Sequence, residues 1–276
     1  MPKGIAITIG LNSVDPQHYA GWSGDLVACE SDARDMALLA KNRGMNVSSL
    51  LTADATRERV AAAVRKAATT LTHGDFFLLT YSGHGGQVPD LNSDEDDGQD
   101  ETWCLFDGEL IDDEIFKLLS LFAAGIRVVV LSDSCHSGSV VKMNHYLGKG
   151  IAAASAKDGP RYRAMPLLIA RRTFEQNRAF YEPILQSHDL AKAQASVKAS
   201  VLLLSGCQDN QLSSDGAFNG LFTGTLLSVW NSGKFKGTYR EFHKAIRQRM
   251  PPDQTPNYFW VPADDKSFEK QQPFTV

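Results

Sequence analysis

The sequence predicts an α/β protein with a mostly parallel central sheet covered by helices on both faces. Three observations carry that prediction. Short continuous runs rich in β-branched and aromatic residues, at 5–9, 76–81, 126–131 and 201–204, read as strands buried on both faces. Segments with apolar residues at helical spacing lie between those runs, the alternation that builds parallel sheets. Gly, Ser and Asp close the runs, so each strand hands its chain to a turn.

Taken in order, residues 5–9 form the first strand. Residues 25–43 follow as a helix with Leu26, Cys29, Ala33, Met36, Ala37 and Ala40 on one face and Gly44 as its stop. A weaker strand at 47–51 leads through Asp54-Ala-Thr56 into an alanine-rich helix ending near residue 71. Next come the strand 76–81, an acidic loop at 90–101, a helix over about 112–123 and the strand 126–131. Residues 140–200 lack a clear strand and carry Lys142, Lys149, Lys157, Arg161, Arg163, Arg171, Arg172 and Arg178. They are expected to be a long, partly mobile insertion with helix around 171–180 and 190–199. The pattern resumes with a strand at 201–204, helices at 220–230 and 239–250, and a last strand at 258–261. The expectation is one domain over 1–276, in which portions 1–139 and 201–276 share the sheet and 140–200 interrupts it.

With 276 residues the chain can bury a full core. A net charge of −4 gives no electrostatic case for nucleic acid or an anionic membrane. No stretch is apolar enough for a bilayer, and the start runs straight into a strand without the features of a signal peptide. Its four cysteines, Cys29, Cys104, Cys135 and Cys207, lie far apart without a C-x-x-C pair. That spacing argues against a zinc site or a disulfide framework and suits a reducing, cytoplasmic setting.

Two reactive side chains stand just past the ends of buried strands. His84 lies in Tyr81-Ser-Gly-His-Gly-Gly86, and Cys135 in Asp133-Ser-Cys-His-Ser-Gly138. Chemistry in a parallel sheet gathers at the carboxyl ends of its strands, and a thiol with an imidazole there is a nucleophile pair. A turn after the strand is expected to put the thiol at an exposed tip beside backbone N–H groups that can lower its pKa and hold an oxyanion. His136 is a poor base for Cys135, because adjacent side chains diverge. His84 is the better one, with Gly83, Gly85 and Gly86 leaving space around it. Asp133 points the same way as Cys135 by strand alternation, and Asp32 shares a helix face with Cys29.

These two motifs resemble the catalytic motifs of metacaspases and orthocaspases, within the caspase-like clan of cysteine peptidases. The histidine stands about fifty residues before the cysteine, as in caspases. The resemblance extends to Cys29-Glu-Ser-Asp-Ala33 and Ser205-Gly-Cys-Gln-Asp-Asn-Gln211, and leaves 140–200 unmatched. It implies a caspase-like three-layer sandwich of type I kind without the N-terminal proline-rich region, and a monomer. It implies a Cys135–His84 dyad with the N–H groups of Cys135 and Gly85 as the oxyanion hole. It also implies an S1 pocket of Asp133, Asp32, Cys29 and Ser82 that takes Arg or Lys from a protein or peptide substrate, where a cation offsets the buried carboxylates.

In the acidic loop an EF-hand register fails, since placing Gly98 at the sixth position puts Ser93 first and Cys104 twelfth. The family nevertheless binds activating calcium nearby. The residues that match are Asp100, Asp112 and Asp113, while Lys142 stands where the family often has another aspartate. If the enzyme cuts after basic residues, the basic 140–200 segment holds sites for cleavage of its own chain. The rival readings are a catalytically silent caspase-like adaptor and a flavodoxin-like nucleotide binder. No glycine-rich phosphate loop follows the first strand to support the latter.

Overall fold

The computed structural model describes residues 2–91, 98–135, 161–207, 214–216 and 218–276. His136 and Lys142 lie outside them, as do much of the acidic loop and most of the basic segment up to residue 160.

The apolar runs form a six-stranded sheet. Its strands are β1 (Gly4–Gly10), β2 (Asn46–Leu51), β3 (Phe76–Ser82), β7 (Arg127–Asp133), β9 (Ser200–Ser205) and β11 (Asn257–Val261), in the order β11-β9-β7-β3-β1-β2. Every neighbouring pair is parallel except β9 with β11. Strands from both sides of the basic segment therefore lie in one sheet.

Alternation along β3 shows why each central strand is apolar throughout. Phe77, Leu79 and Tyr81 enter one core, with α2 (Arg57–Thr70) and α3 (Asp112–Leu119) over it. Phe76 and Leu78 enter the other, covered by α1 (Cys29–Asn42), α6 (Leu221–Trp230) and α7 (Tyr239–Arg247). Each fully buried phenylalanine contributes roughly 1.5–3 kcal/mol of hydrophobic free energy, so both faces are well held. Phe274, with no exposed surface, packs edge-on against Trp230, Tyr239 and Phe242 and ties the C-terminal tail to the second core.

Several local expectations change. The stretch around the acidic loop is a separate antiparallel sheet of β4 (Gly85–Pro89), β5 (Gln99–Leu105) and β6 (Gly108–Ile111). Its strands mix Gly, Gln, Asp, Glu and Thr with a few buried apolar residues such as Val88, Trp103, Leu105 and Leu110, so they lack the continuous apolar run that marked the others. The helix expected over 112–123 stops at Leu119. The basic segment holds α4 (Leu167–Gln176) and α5 (Arg178–Leu185), while 190–199 is only a short 3₁₀ turn at Gln194–Ser196. It also contains a two-residue strand, β8 (Arg161–Tyr162), paired with β10 (Ser214–Asp215). Among the described residues the remaining α-helix is α8 (Lys266–Glu269). Among the described residues no helix is long and apolar enough to cross a membrane.

Candidate active site

β3 and β7 are parallel neighbours with Ser82 opposite Asp133, so His84 and Cys135 emerge side by side at the same end of the sheet. The His84 backbone is fixed first. Its carbonyl accepts the Tyr81 hydroxyl at 2.7 Å and the Cys104 N–H at 3.0 Å, and Tyr81 is itself stacked flat on Trp103.

The imidazole is oriented from the loop before α1. Nε2 lies 2.9 Å from the Gly24 carbonyl oxygen, which can only accept, so Nε2 carries the proton. Trp22 lies against the ring, with centroids 4.6 Å apart. Nδ1 is buried and has no hydrogen-bond partner among the described residues. Burial pulls the His84 pKa down to about 4, against the opposing pull of the Gly24 carbonyl. The ring is therefore neutral near pH 7, with Nδ1 as its basic atom.

The glycines flanking His84 serve its neighbours more than the ring. A Cβ on Gly83 would meet the Tyr81 hydroxyl at 2.5 Å, and one on Gly86 would meet Glu109 and Met165 at 2.6 Å. Clearance for the imidazole comes from Gly24, where a Cβ would stand 3.0 Å from Cδ2 at a φ of +57°.

The expected exposed tip at Cys135 is not found, because the residue has no exposed surface. Arg163 covers it. The Arg163 carbonyl oxygen accepts the Cys135 N–H at 3.1 Å and the Gly85 N–H at 2.9 Å, the two donors expected to hold an oxyanion. Cys207 sits behind, its thiol 3.4 Å from the Cys135 sulfur and 3.3 Å from the Ser134 carbonyl.

Asp32, Asp133, Ser82 and Cys29 do converge, and the Arg163 guanidinium lies among them. It reaches Asp32 at 2.7 Å, Asp133 at 3.0 Å, Ser82 Oγ at 2.8 Å and a third carboxylate, Asp215, at 3.0 Å. A void of only about 10 Å³, at or below what one water needs, lies among Asp32, Ser82, Asp133 and Thr223 of α6.

Each carboxylate is braced from behind. Asp32 accepts the Ser82 hydroxyl, the Asn219 amide and the Gly220 N–H; Asp133 accepts the Thr223 N–H and hydroxyl; Asp215 accepts the N–H groups of Val27 and Ala28. Apart from the Ser82 hydroxyl of β3, these donors belong to the starts of α6 and α1, where helix dipoles favour negative charge. Burial works against the Arg163 charge, but Asp133, Asp32 and Asp215 outweigh it and hold the guanidinium firmly protonated. Burial pushes Asp32 up to about 6 while Arg163 pulls it back. Burial also pushes the Cys29 thiol up to about 12, so it stays a neutral thiol and a poor nucleophile.

A family model described as the caspase domain matches residues 3–274.

The chain belongs to the caspase-domain family.

Its curated relatives include metacaspase-1 of Mycosarcoma maydis, 30% identical over 89% of this chain and 66% of that protein. Metacaspase-1 of Schizosaccharomyces pombe is 31% identical over 89% of the chain and 64% of its own length. The chain thus spans somewhat under two thirds of these relatives. A crystal structure of a Geobacter sulfurreducens protein is 60% identical over 100% of this chain and 99% of that one, with a TM-score of 0.89. Caspase-1 of Spodoptera frugiperda shares the fold, with a TM-score of 0.51 at 11% identity over 94% of this chain and 86% of its own. The caspase-like sandwich anticipated from the motifs is therefore the fold of this protein.

The residues expected to bind calcium in this caspase-domain chain lie together on β5 and the start of α3. Burial pushes Asp112 up to about 8, and Glu101, Asp113 and Asp100 add to the rise by repulsion. Hard carboxylate oxygens of this kind suit Ca²⁺. As they stand, however, no three His, Cys, Asp or Glu side chains among the described residues form a ready metal site.

Sequence reasoning missed Gly24, Asp215 and the position of Arg163. Gly21-Trp-Ser-Gly24 was a usable signal, since two glycines so close mark a turn. Nothing in the sequence sets Arg163 apart from its basic neighbours. Asp215 earns its place only through the pairing of β10 with β8.

Proposed function

We propose that this caspase-domain protein is a cysteine endopeptidase that cuts protein and peptide substrates after Arg or Lys. The observation that supports it is the fully buried Arg163 guanidinium, compensated by Asp32, Asp133 and Asp215. Three buried carboxylates without a cation cost far too much free energy to persist, so a pocket built this way selects a basic side chain. Arg suits it better than Lys, since the planar fork meets several carboxylates at once.

In this reading His84 Nδ1 takes the Cys135 proton, and the sulfur attacks the carbonyl carbon after the basic residue. The N–H groups of Cys135 and Gly85 stabilise the oxyanion, His84 protonates the leaving amine, and water hydrolyses the thioester. The Gly24 carbonyl keeps the imidazole in the tautomer this requires. Cleavage within the chain's own 140–200 segment, Ca²⁺ held by Asp100, Asp112 and Asp113, a monomeric state and a cytoplasmic setting complete the proposal.

Fluorogenic peptides ending in Arg, Lys or Asp test it. Hydrolysis of the Arg and Lys peptides is expected, lost in Cys135→Ala and weakened at least tenfold in Asp133→Asn through the unpaired cation. Preference for the Asp peptide would overturn the specificity, and no hydrolysis at all would favour the adaptor reading.

A further inference from the structure

Residues 161–165 lie in the cleft as a substrate would. Upstream, β8 pairs antiparallel with β10, Tyr162 opposite Ser214 and Arg161 opposite Asp215. At the centre Arg163 places its guanidinium among three carboxylates and its carbonyl oxygen on both candidate oxyanion donors. Downstream, Ala164 bridges Gly85, and the Met165 N–H donates to the Gly85 carbonyl at 2.7 Å. The protein's own backbone thus grips the chain on both sides of the Arg163–Ala164 bond.

A structural ion pair would account for the buried guanidinium alone. It would not account for the carbonyl, which sits where Cys135 and Gly85 direct their N–H groups, next to the nucleophile. Side chain and carbonyl are in register together, as they must be in a cleavable complex.

We infer that Arg163–Ala164 is a scissile bond of this protein, cut by Cys135 of the same chain, and that segment 161–165 keeps the centre closed until it leaves. The inference rests on the endopeptidase reading and adds to it the bond, the intramolecular route and the closed state. The Cys135 thiolate bonds to the Arg163 carbonyl carbon, and the bond from that carbon to the Ala164 nitrogen breaks. The proton held by His84 goes to that nitrogen, giving a free Ala164 amine. One water then adds to the thioester, leaving the Arg163 carboxylate and regenerating the thiol. Cleavage by itself does not empty the pocket, because the three carboxylates still hold Arg163. Opening requires withdrawal of 161–163, which carries the new carboxylate away from the sulfur.

The test is the intact mass and new N-terminus of the full chain, incubated with calcium supplied, alongside Cys135→Ala. Wild type is expected to give two chains divided between 163 and 164 at a first-order rate independent of protein concentration. Cys135→Ala stays whole, even when mixed with wild type. Arg163→Gln and Ala164→Pro both lose this cut; the second keeps the guanidinium and so covers the case in which the first does not fold. A new N-terminus elsewhere, a rate proportional to concentration, or a wild-type chain that stays whole while it hydrolyses an Arg peptide overturns the inference alone. A chain that cuts neither itself nor the peptide overturns the endopeptidase reading with it.

Discussion

Gly24 and His84 show how little of a proposed catalytic residue's behaviour resides in that residue. A backbone carbonyl from a separate loop selects the tautomer, an indole packs on the ring, and burial keeps the imidazole neutral. Gly24→Ala would add a methyl group 3.0 Å from the ring at a φ of +57°, so the loop or the imidazole must shift. Moving a catalytic group by about an ångström costs on the order of 10²-fold in rate. The expected outcome is a fall of that size in kcat for an Arg peptide with KM little changed. Unchanged kcat would mean that the Gly24 carbonyl does not orient the base.

At the scale of elements, the first turn of α6 builds the proposed specificity pocket. Gly220 and Thr223 direct their N–H groups to Asp32 and Asp133, so a helix end stabilises charges that the core would otherwise reject. Gly220 also supplies space, since a Cβ there would stand 2.5 Å from Cζ and both terminal nitrogens of Arg163. The guanidinium is pinned by carboxylates and cannot step aside cheaply. Overpacking of this kind costs about 1–3 kcal/mol, which translates into roughly five- to 150-fold. Gly220→Ala should therefore raise KM for Arg peptides by that factor, measured by steady-state kinetics, while circular dichroism stays that of the wild type. An unaltered KM would place the arginine site elsewhere.

For the whole molecule, the central sheet and the small β4–β6 sheet have different tasks. The central sheet, cored on both faces, is the rigid base that holds β3 and β7 in register. The small sheet connects the proposed calcium residues to the histidine. β5 carries Asp100 and Glu101 and, further along, Cys104, whose N–H holds the His84 carbonyl. A divalent cation that offsets the repulsion around Asp112 would firm this strand and its hold on His84. Calcium is expected to raise the thermal midpoint of the uncleavable Cys135→Ala protein, as any ligand of the native state does, and Asp112→Asn is expected to reduce that rise. A midpoint indifferent to calcium and chelator would remove the site.

Buried strands, their order of helices and the positions of Cys135, His84, Asp133 and Asp32 were legible in the sequence, because each is written locally. Apolar runs mark strands, helical spacing marks faces, and turn residues mark where side chains emerge. The β4–β6 sheet escaped, since its buried residues Val88, Trp103, Leu105, Leu110 and Ile111 are spread over three short strands among Gly, Gln, Asp and Glu and form no continuous apolar run. Arg163, Asp215 and Gly24 escaped for a different reason. Their roles come from contacts between segments far apart in the chain, and one arginine among many basic neighbours shows nothing locally of the three carboxylates that meet it. The sequence alone determined the fold class and brought forward the proposed pair of Cys135 and His84. Only the tertiary structure decided that the pair is covered and by which residue, because burial of a charge is a property of the surroundings that compensate it.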